Sequence, residues 1–372
     1  MPYFEIKFPL IQRPAIILVI IFLFSSRVAA QTGSAVHEFA AADSLAMTVK
    51  YDHDIVKLSK DLTSIFTDNK LKVRAIFRWI TENIAYDYKF INKGREVKKP
   101  DCDNAVNCEQ RIAEWKGEYV KKVLQTKKGV CSGYAELFKT LCDIAGIKTE
   151  VVEGYARTKP YQVGNHISVN HAWNAVLLDS NWYFLDATWA AGACSESEET
   201  EKLTGFHKNF KAYYWLTPYE QLKRNHYPQH GRWNAGNNFT KQQFFNQPYY
   251  AEDIIADIQL IKPAAGMLEI EKGDTIHIEF EYSHAVTKIQ VNSNVFRNPD
   301  LWYKEQAGKH KFIMVRDTAA DRRQVYIPFT QNGSRYSFDY VVKDASLYYM
   351  DILFDHKRAM RFRVKLKHPY SE

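Results

Sequence analysis

Cys131 lies in the stretch Gly129-Val130-Cys131-Ser132-Gly133-Tyr134-Ala135-Glu136-Leu137-Phe138, where a glycine-bearing approach runs into an apolar pattern of helical spacing. His171 opens the run His171-Ala172-Trp173-Asn174, and Asp186 stands in Leu185-Asp186-Ala187-Thr188-Trp189, which reads as the next strand. A thiol at a helix start meets unpaired N–H groups and a partial positive charge, both of which favour the thiolate over the ordinary thiol of pKa about 8.5. An imidazole beside it takes and returns the proton, and a carboxylate behind the imidazole sets its tautomer and steadies its charge. The backbone N–H of Cys131 is placed to donate to an oxyanion, and Gly129 and Gly133 permit close backbone approach. The competing reading is a small buried cysteine on a helix face, which the loop-to-helix position argues against.

Strand geometry tests the other two residues. Asp179-Ser180 has the character of a hairpin tip between Leu178 and Asn181. Leu178 then faces Asn181, Trp173 faces Asp186 and His171 faces Thr188. His171 and Asp186 fall on one side of the sheet as diagonal neighbours about 7–8 Å apart. A four-residue loop keeps this parity, whereas an odd-length loop puts the two on opposite faces. Taken singly, each residue also reads as a half-buried histidine and a hairpin aspartate; the three together favour chemistry.

The surrounding elements follow from periodicity. Ile55, Leu58, Leu62, Ile65 and Phe66 recur at helical spacing, as do Val73, Ile76, Phe77 and Ile80 after the capping run Thr67-Asp68-Asn69. A polar lead precedes them. Residues 92–110 read as an inserted loop and 111–126 as a shorter helix. The Cys131 helix carries Tyr134, Leu137, Phe138, Leu141 and Ala145 on one face and ends at Gly146. Strand-like runs cover 147–156, 171–178 and 181–188, and the aromatic-rich stretch 206–233 wraps the same core. After about residue 245 the pattern changes to period two: Ile276, Ile278 and Phe280, then Tyr348, Met350, Ile352 and Phe354, then Phe362, Val364 and Leu366, with turns at Gly273-Asp274 and Asn332-Gly333. Short strands at short intervals indicate an all-β sandwich. The fold class expected is α+β followed by that sandwich, divided as 1–30, 31–245 and 246–372.

The 372 residues have room for two domains and a targeting segment. Hydrophobic content of 46% and charged content of 25% are ordinary for a globular protein. The formal charge of +7 is mild and dispersed, and the run Lys93-Gly94-Arg95 with Lys98-Lys99 reads as a solvated loop rather than a nucleic-acid patch. Lys7 and Arg13 precede an apolar run from Ala15 to Phe24, followed by small residues at Val28 and Ala30. That order is a secretory signal peptide cleaved before Gln31. The run falls short of the roughly 20 residues that span a membrane. The mature chain is therefore expected to be exported, secreted or periplasmic, with no stable membrane insertion. All five cysteines lie beyond residue 30. Cys102 and Cys108 flank a short polar loop as a plausible local pair, Cys142 reads as a buried thiol, and the odd count permits a free Cys131. No histidine has metal-ligand spacing and no phosphate-cradling glycine loop is present, so neither metal nor cofactor is expected.

Several linked segments resemble the transglutaminase-like superfamily, whose members share a papain-like core with the order Cys, His, Asp. They are Gly129 to Ala135, Leu141 to Ile147, Gly154-Tyr155-Ala156, His171 to Asn174 and Trp182 to Trp189, with Trp79-Ile80 and Asn83 to Asp87 upstream. Tyr213 to Pro218, His226-Tyr227-Pro228 and Trp233 are similar to the kyphoscoliosis peptidase-like branch. The resemblance covers about residues 70–235 and leaves the immunoglobulin-like sandwich outside it. It implies Cys131 as nucleophile, His171 as general base and acid, and Asp186 as orienter. The chemistry implied is attack on a peptide or amide carbonyl to give a thioester, then hydrolysis or capture by an amine. Protein or peptide substrates are implied too, wall-type peptides among them. Trp173 and Trp189 are candidates to line the cleft, although each also reads as core. The alternative is a non-catalytic binding or scaffolding protein that uses this fold and the sandwich for protein or glycan contacts.

Overall fold

The structure is a computed structural model that describes residues 38–102, 106–197, 199–234, 238–308 and 311–367. The proposed signal segment and its cleavage site before Gln31 lie outside the described residues. Five helices build the first layer: α1 (Ala40–Thr48), α2 (Ile55–Thr63), α3 (Asn69–Asn83), α4 (Cys108–Thr126) and α5 (Cys131–Ile144). Asp54 and Asp68 cap α2 and α3 by accepting first-turn N–H groups, which is why those two helices begin where they do. α1 corrects the reading of that stretch as a polar lead. Its buried stripe is alanine, Ala42 and Ala46, too weak a hydrophobic signal to stand out in sequence. It is also held by Arg74 donating to both oxygens of Asp43 at 2.6 and 2.8 Å.

The sheet behind these helices comprises β1 (Thr149–Ala156), β2 (His171–Leu178), β3 (Asn181–Leu185) and, after a hairpin of β4 (Gly192–Glu196) and β5 (Leu203–Lys208), β6 (His226–Pro228). The spatial order is β3-β2-β1-β6, antiparallel throughout. Phe77, Ile80, Leu137, Phe138 and Leu141 pack between helices and sheet with Val176, Leu178 and Leu185. Val152, Trp173, Ala175, Phe184 and Leu222 form a smaller core elsewhere on the sheet. Gly154 is required on β1, because a Cβ there would sit 2.3 Å from the Tyr227 carbonyl oxygen and 2.6 Å from the Trp173 ring.

A second core runs from Ile254 to Val364. It lies between the sheet β7 (Ile258–Lys262), β9 (Thr275–Tyr282), β14 (Arg335–Val341) and β13 (Thr330–Asn332) and the sheet β8 (Met267–Ile270), β16 (Lys357–Leu366), β15 (Tyr349–Phe354) and β10 (Ile289–Ser293). Ile276, Ile278 and Phe280 point inward while His277 stays exposed, the alternation expected of a half-buried strand. β11 (Trp302–Gly308) and β12 (Lys311–Arg316) pair only with each other among the described residues. The chain is α+β with a β-sandwich after it. Arg157, buried at the end of β1, donates to the carbonyls of Phe244, Phe245, Gln247 and Pro248, fastening the connecting segment to the first sheet. No helix among the described residues is long and apolar enough to cross a membrane.

Candidate active site

Cys131 is the first residue of α5, and no side chain caps its N-cap residue Val130. The first-turn N–H groups of this helix thus have no capping side chain to answer to, and the positive end of the dipole faces the sulfur. The approach is pinned from outside. Ala85 N–H donates to Lys127 at 2.9 Å and Asp87 N–H to Gly129 at 3.0 Å, so Ala85–Tyr86 pairs in parallel with Lys128–Gly129. Gly133 has little room for a side chain, since a Cβ would lie 3.0 Å from Val123 of α4. Asn174, on β2, donates to the Ala135 carbonyl at 3.0 Å and so ties the cysteine helix to the histidine strand.

His171 begins β2, buried, with Nε2 2.6 Å from Asp186 Oδ2. Nδ1 is the nitrogen left to face Cys131, which lies near enough to help raise the imidazole. The structure therefore brings Cys131, His171 and Asp186 into one connected group.

Asp186 itself is placed differently from the strand reading. β3 ends at Leu185, and Asp186 is the N-cap of a short helix, α6 (Ala187–Ala191). Its Oδ1 accepts Thr188 N–H at 2.8 Å and Trp189 N–H at 3.0 Å. An aspartate satisfies free helical N–H groups well and a strand ladder poorly, so the chain turns there. The hairpin register is nevertheless as expected: Asp179 and Ser180 have φ of 48° and 65°, and Leu178 pairs with Asn181. His171 does not face Thr188, because the ladder stops at Asn174 and Leu185.

Electrostatics follow from burial and charge. Burial by itself pushes His171 down, but the Asp186 carboxylate and then the nearby Cys131 outweigh it, and the imidazole is raised to about 10. Burial pushes Asp186 up, yet His171 and then His226 hold it well below the usual carboxylate range. At neutral pH the pair is an imidazolium on a carboxylate. Burial pushes the other two free thiols up, Cys142 to about 12 and Cys194 to about 11. Cys102 and Cys108 form a disulfide. Cys131, Cys142 and Cys194 stay free.

A cavity of about 300 Å³ reaches His171 and is walled by Tyr86, Trp189, Cys194, Leu203 and Phe206, with Tyr249 and Glu252 from the connecting segment. Cys131 does not form its wall. Trp189 lines it as expected. Trp173 does not: it is 1% exposed and packs behind the site, its ring 6.0 Å from that of His171. His171 and Trp173 share a face of β2, but Trp173 lies deeper and closes over Gly154, where the smallest residue leaves the space.

Residues 56–187 match the family model of the Transglutaminase-like superfamily. The chain carries a transglutaminase-like domain. It is 30% identical over 247 residues to the kyphoscoliosis peptidase of Mus musculus, covering 65% of this chain and 34% of that protein. With the kyphoscoliosis peptidase of Homo sapiens the identity is 29% over 224 residues, covering 56% and 30%. The chain thus spans about a third of the length of these curated relatives. The similarities place the transglutaminase-like domain in that branch. Among solved structures, a TGase is similar over 46% of this chain and 40% of its own, at 19% identity and a TM-score of 0.26.

The domain also holds a residue that sequence reasoning passed over. His226, wholly buried on β6, has Nε2 3.1 Å from the same Asp186 Oδ2. His171, Asp186 and His226 present ligand atoms within 4.8 Å of one another. A 2.6 Å separation and a carboxylate already receiving four partners make this a hydrogen-bonded cluster rather than a metal cage. The histidine was visible only as part of His226-Tyr227-Pro228, because its approach depends on β6 pairing with β1.

Proposed function

We propose that the protein is a thiol enzyme acting on peptide or amide bonds, with Cys131 as nucleophile, His171 as general base and acid, and Asp186 as orienter. The observation that carries this is one imidazole that bonds a fully buried carboxylate at 2.6 Å and is raised by that carboxylate and by the nearby Cys131. With His171 protonated, the sulfur attacks the carbonyl carbon as an anion, and the carbonyl oxygen takes up the negative charge. The uncapped N–H groups at the start of α5 face that charge. Collapse breaks the C–N bond, Nδ1–H of His171 passes its proton to the departing amine, and a thioester remains on Cys131. His171, now neutral, takes a proton from water or from a second amine, which attacks the thioester and regenerates the thiolate–imidazolium pair. Peptidase or amidohydrolase turnover results from water, acyl transfer from an amine.

Two further readings accompany this one. Protein or peptide chains, wall-type peptides among them, are the substrates of choice, since the cavity beside His171 joins aromatic walls (Tyr86, Trp189, Phe206) to polar and charged groups (Lys159, Asn170, Glu252). Export is supported by the ordered basic, apolar and small-residue segments of residues 1–30 and by the Cys102–Cys108 disulfide. The test is incubation with glutamine-containing peptides and with wall-type peptides, for the wild type and Cys131→Ala. Ammonia release, cleavage or cross-linking lost in the variant supports the enzyme. Inertness of the wild type across both panels favours the binding or scaffolding protein.

A further inference from the structure

Asp186 accepts four donors: two backbone N–H groups on Oδ1, and His171 and His226 on Oδ2. The second imidazole is as enclosed as the carboxylate. The rings of Trp189, Trp173, His171 and Tyr214 surround it at 4.6, 5.0, 5.3 and 6.1 Å between centroids. The titratable groups facing it are Asp186, His171 and Tyr214. Its other nitrogen, Nδ1, meets the side-chain amide of Asn225 at 2.6 Å, and that amide meets the Tyr214 hydroxyl at 3.2 Å.

Proton counting fixes the arrangement. Burial drives His226 down to about 4, so it is neutral at working pH and carries one N–H. Asp186 is an acceptor only, so that hydrogen must sit on Nε2. Nδ1 is then bare and needs a donor. As placed, Asn225 Oδ1 lies 2.6 Å from Nδ1 and its NH2 donates to the Tyr214 oxygen at 3.2 Å; the two ends of an amide are isosteric, and a neutral His226 requires the amide turned, with its NH2 on Nδ1 and its oxygen toward the Tyr214 hydroxyl. Burial keeps Tyr214 protonated as that donor. With the amide turned, Tyr214, Asn225, His226, Asp186 and His171 form one directed chain of hydrogen bonds, with Cys131 beside its end.

Resting on the thiol-enzyme reading above, we propose that His226 is a positioning residue: a neutral imidazole, oriented by Asn225, whose Nε2–H caps the Asp186 oxygen that faces His171 and loosens the carboxylate's hold on the His171 proton. A buried carboxylate with His171 as the only donor on that oxygen would grip the imidazolium hardest, yet the cycle requires His171 to surrender its proton to the leaving amine. A neutral second donor on the same oxygen weakens that grip without adding charge.

The test is a pH titration by NMR of the full chain labelled with 15N-histidine, for wild type, His226→Leu, His226→Gln and Tyr214→Phe. In the wild type His226 is expected as the Nε2–H tautomer, uncharged at neutral pH. His226→Leu is expected to raise the proton affinity of His171 about tenfold, the scale of one hydrogen bond to a charged group. The glutamine amide replaces the donor and is expected to restore the wild-type titration. A purely structural role would not be rescued in this way. An Nδ1–H tautomer in the wild type, or an unchanged His171 in a folded His226→Leu, overturns the proposal. If that variant does not fold, the wild-type tautomer and its loss of definition in Tyr214→Phe decide. Failure of the thiol-enzyme reading shows separately, as failure of iodoacetamide to alkylate Cys131 in the wild type.

Discussion

Replacing Asp186 by asparagine removes one charge and almost no volume, so its effect falls on the proton of His171. Burial is the largest influence on His171 and lowers it; the carboxylate reverses this and brings the ring to about 10. Relative to an ordinary imidazole near 6.5, that is about 3.5 pKa units, or on the order of 5 kcal/mol favouring the protonated ring. In Asp186→Asn the amide oxygen still accepts Thr188 and Trp189 N–H, so the NH2 turns to His171 Nε2. The ring must then carry its proton on Nδ1, facing the sulfur, and cannot accept one from it. A thiol without an imidazolium partner ionises near pKa 8.5, so its thiolate fraction climbs roughly 80-fold between pH 6 and pH 8. The assay is the second-order rate of alkylation by iodoacetamide across that range. Its slope is the readout, because the reactivity of each thiolate itself changes with basicity. The variant is expected to climb more steeply with pH than the wild type. Equal slopes in two folded proteins would refute the reasoning.

Other consequences are as direct. His171 is raised to about 10, so its contribution to stability is complete below about pH 6.5 and lost as pH rises through 10; His226 is lowered to about 4, so stability falls as pH drops from about 6.5 to 4, by about 3 kcal/mol. Urea unfolding is expected to show a maximum near neutrality, and His226→Gln is expected to flatten the acid side alone. Gly154→Ala forces a Cβ to within 2.3 Å of the Tyr227 carbonyl and pushes β6 away from β1; a loss of about 1–3 kcal/mol in urea unfolding is expected. Arg157→Leu removes the guanidinium from four carbonyls of the connecting segment; Phe244 and Phe245 keep the N–H groups of Gln247 and Gly164, while Gln247 and Pro248 lose the Arg157 donor, and a loss of about 2–3 kcal/mol is expected in thermal unfolding.

Much of this site was legible because its signals are local. Gly129 and Gly133 around Cys131 mark a helix start, and the Asp179-Ser180 tip sets the pairing of Leu178 with Asn181 that runs β3 back along β2. The alternation of Ile276, Ile278 and Phe280 identifies a strand without help from its neighbours. What escaped depends on contacts distant in the chain. Asp186 continues the β3 pattern in sequence, and only its capping of Thr188 and Trp189 shows that the strand has ended. The parallel pairing of β8 with β16 joins residues far apart in the chain. Nothing local to His226-Tyr227-Pro228 ties His226 to Asp186; it reaches Asp186 because β6 docks on β1 across Gly154.

The central claim is that Cys131 alone among the free thiols is the reactive nucleophile, partnered by His171. Limited alkylation at about pH 6 followed by peptide mapping tests it within one molecule, because burial holds Cys142 near 12 and Cys194 near 11 as internal controls. Modification confined to Cys131 is the expected result. Labelling of Cys194 at an equal or greater rate, or none at Cys131 while the protein is folded, would contradict it.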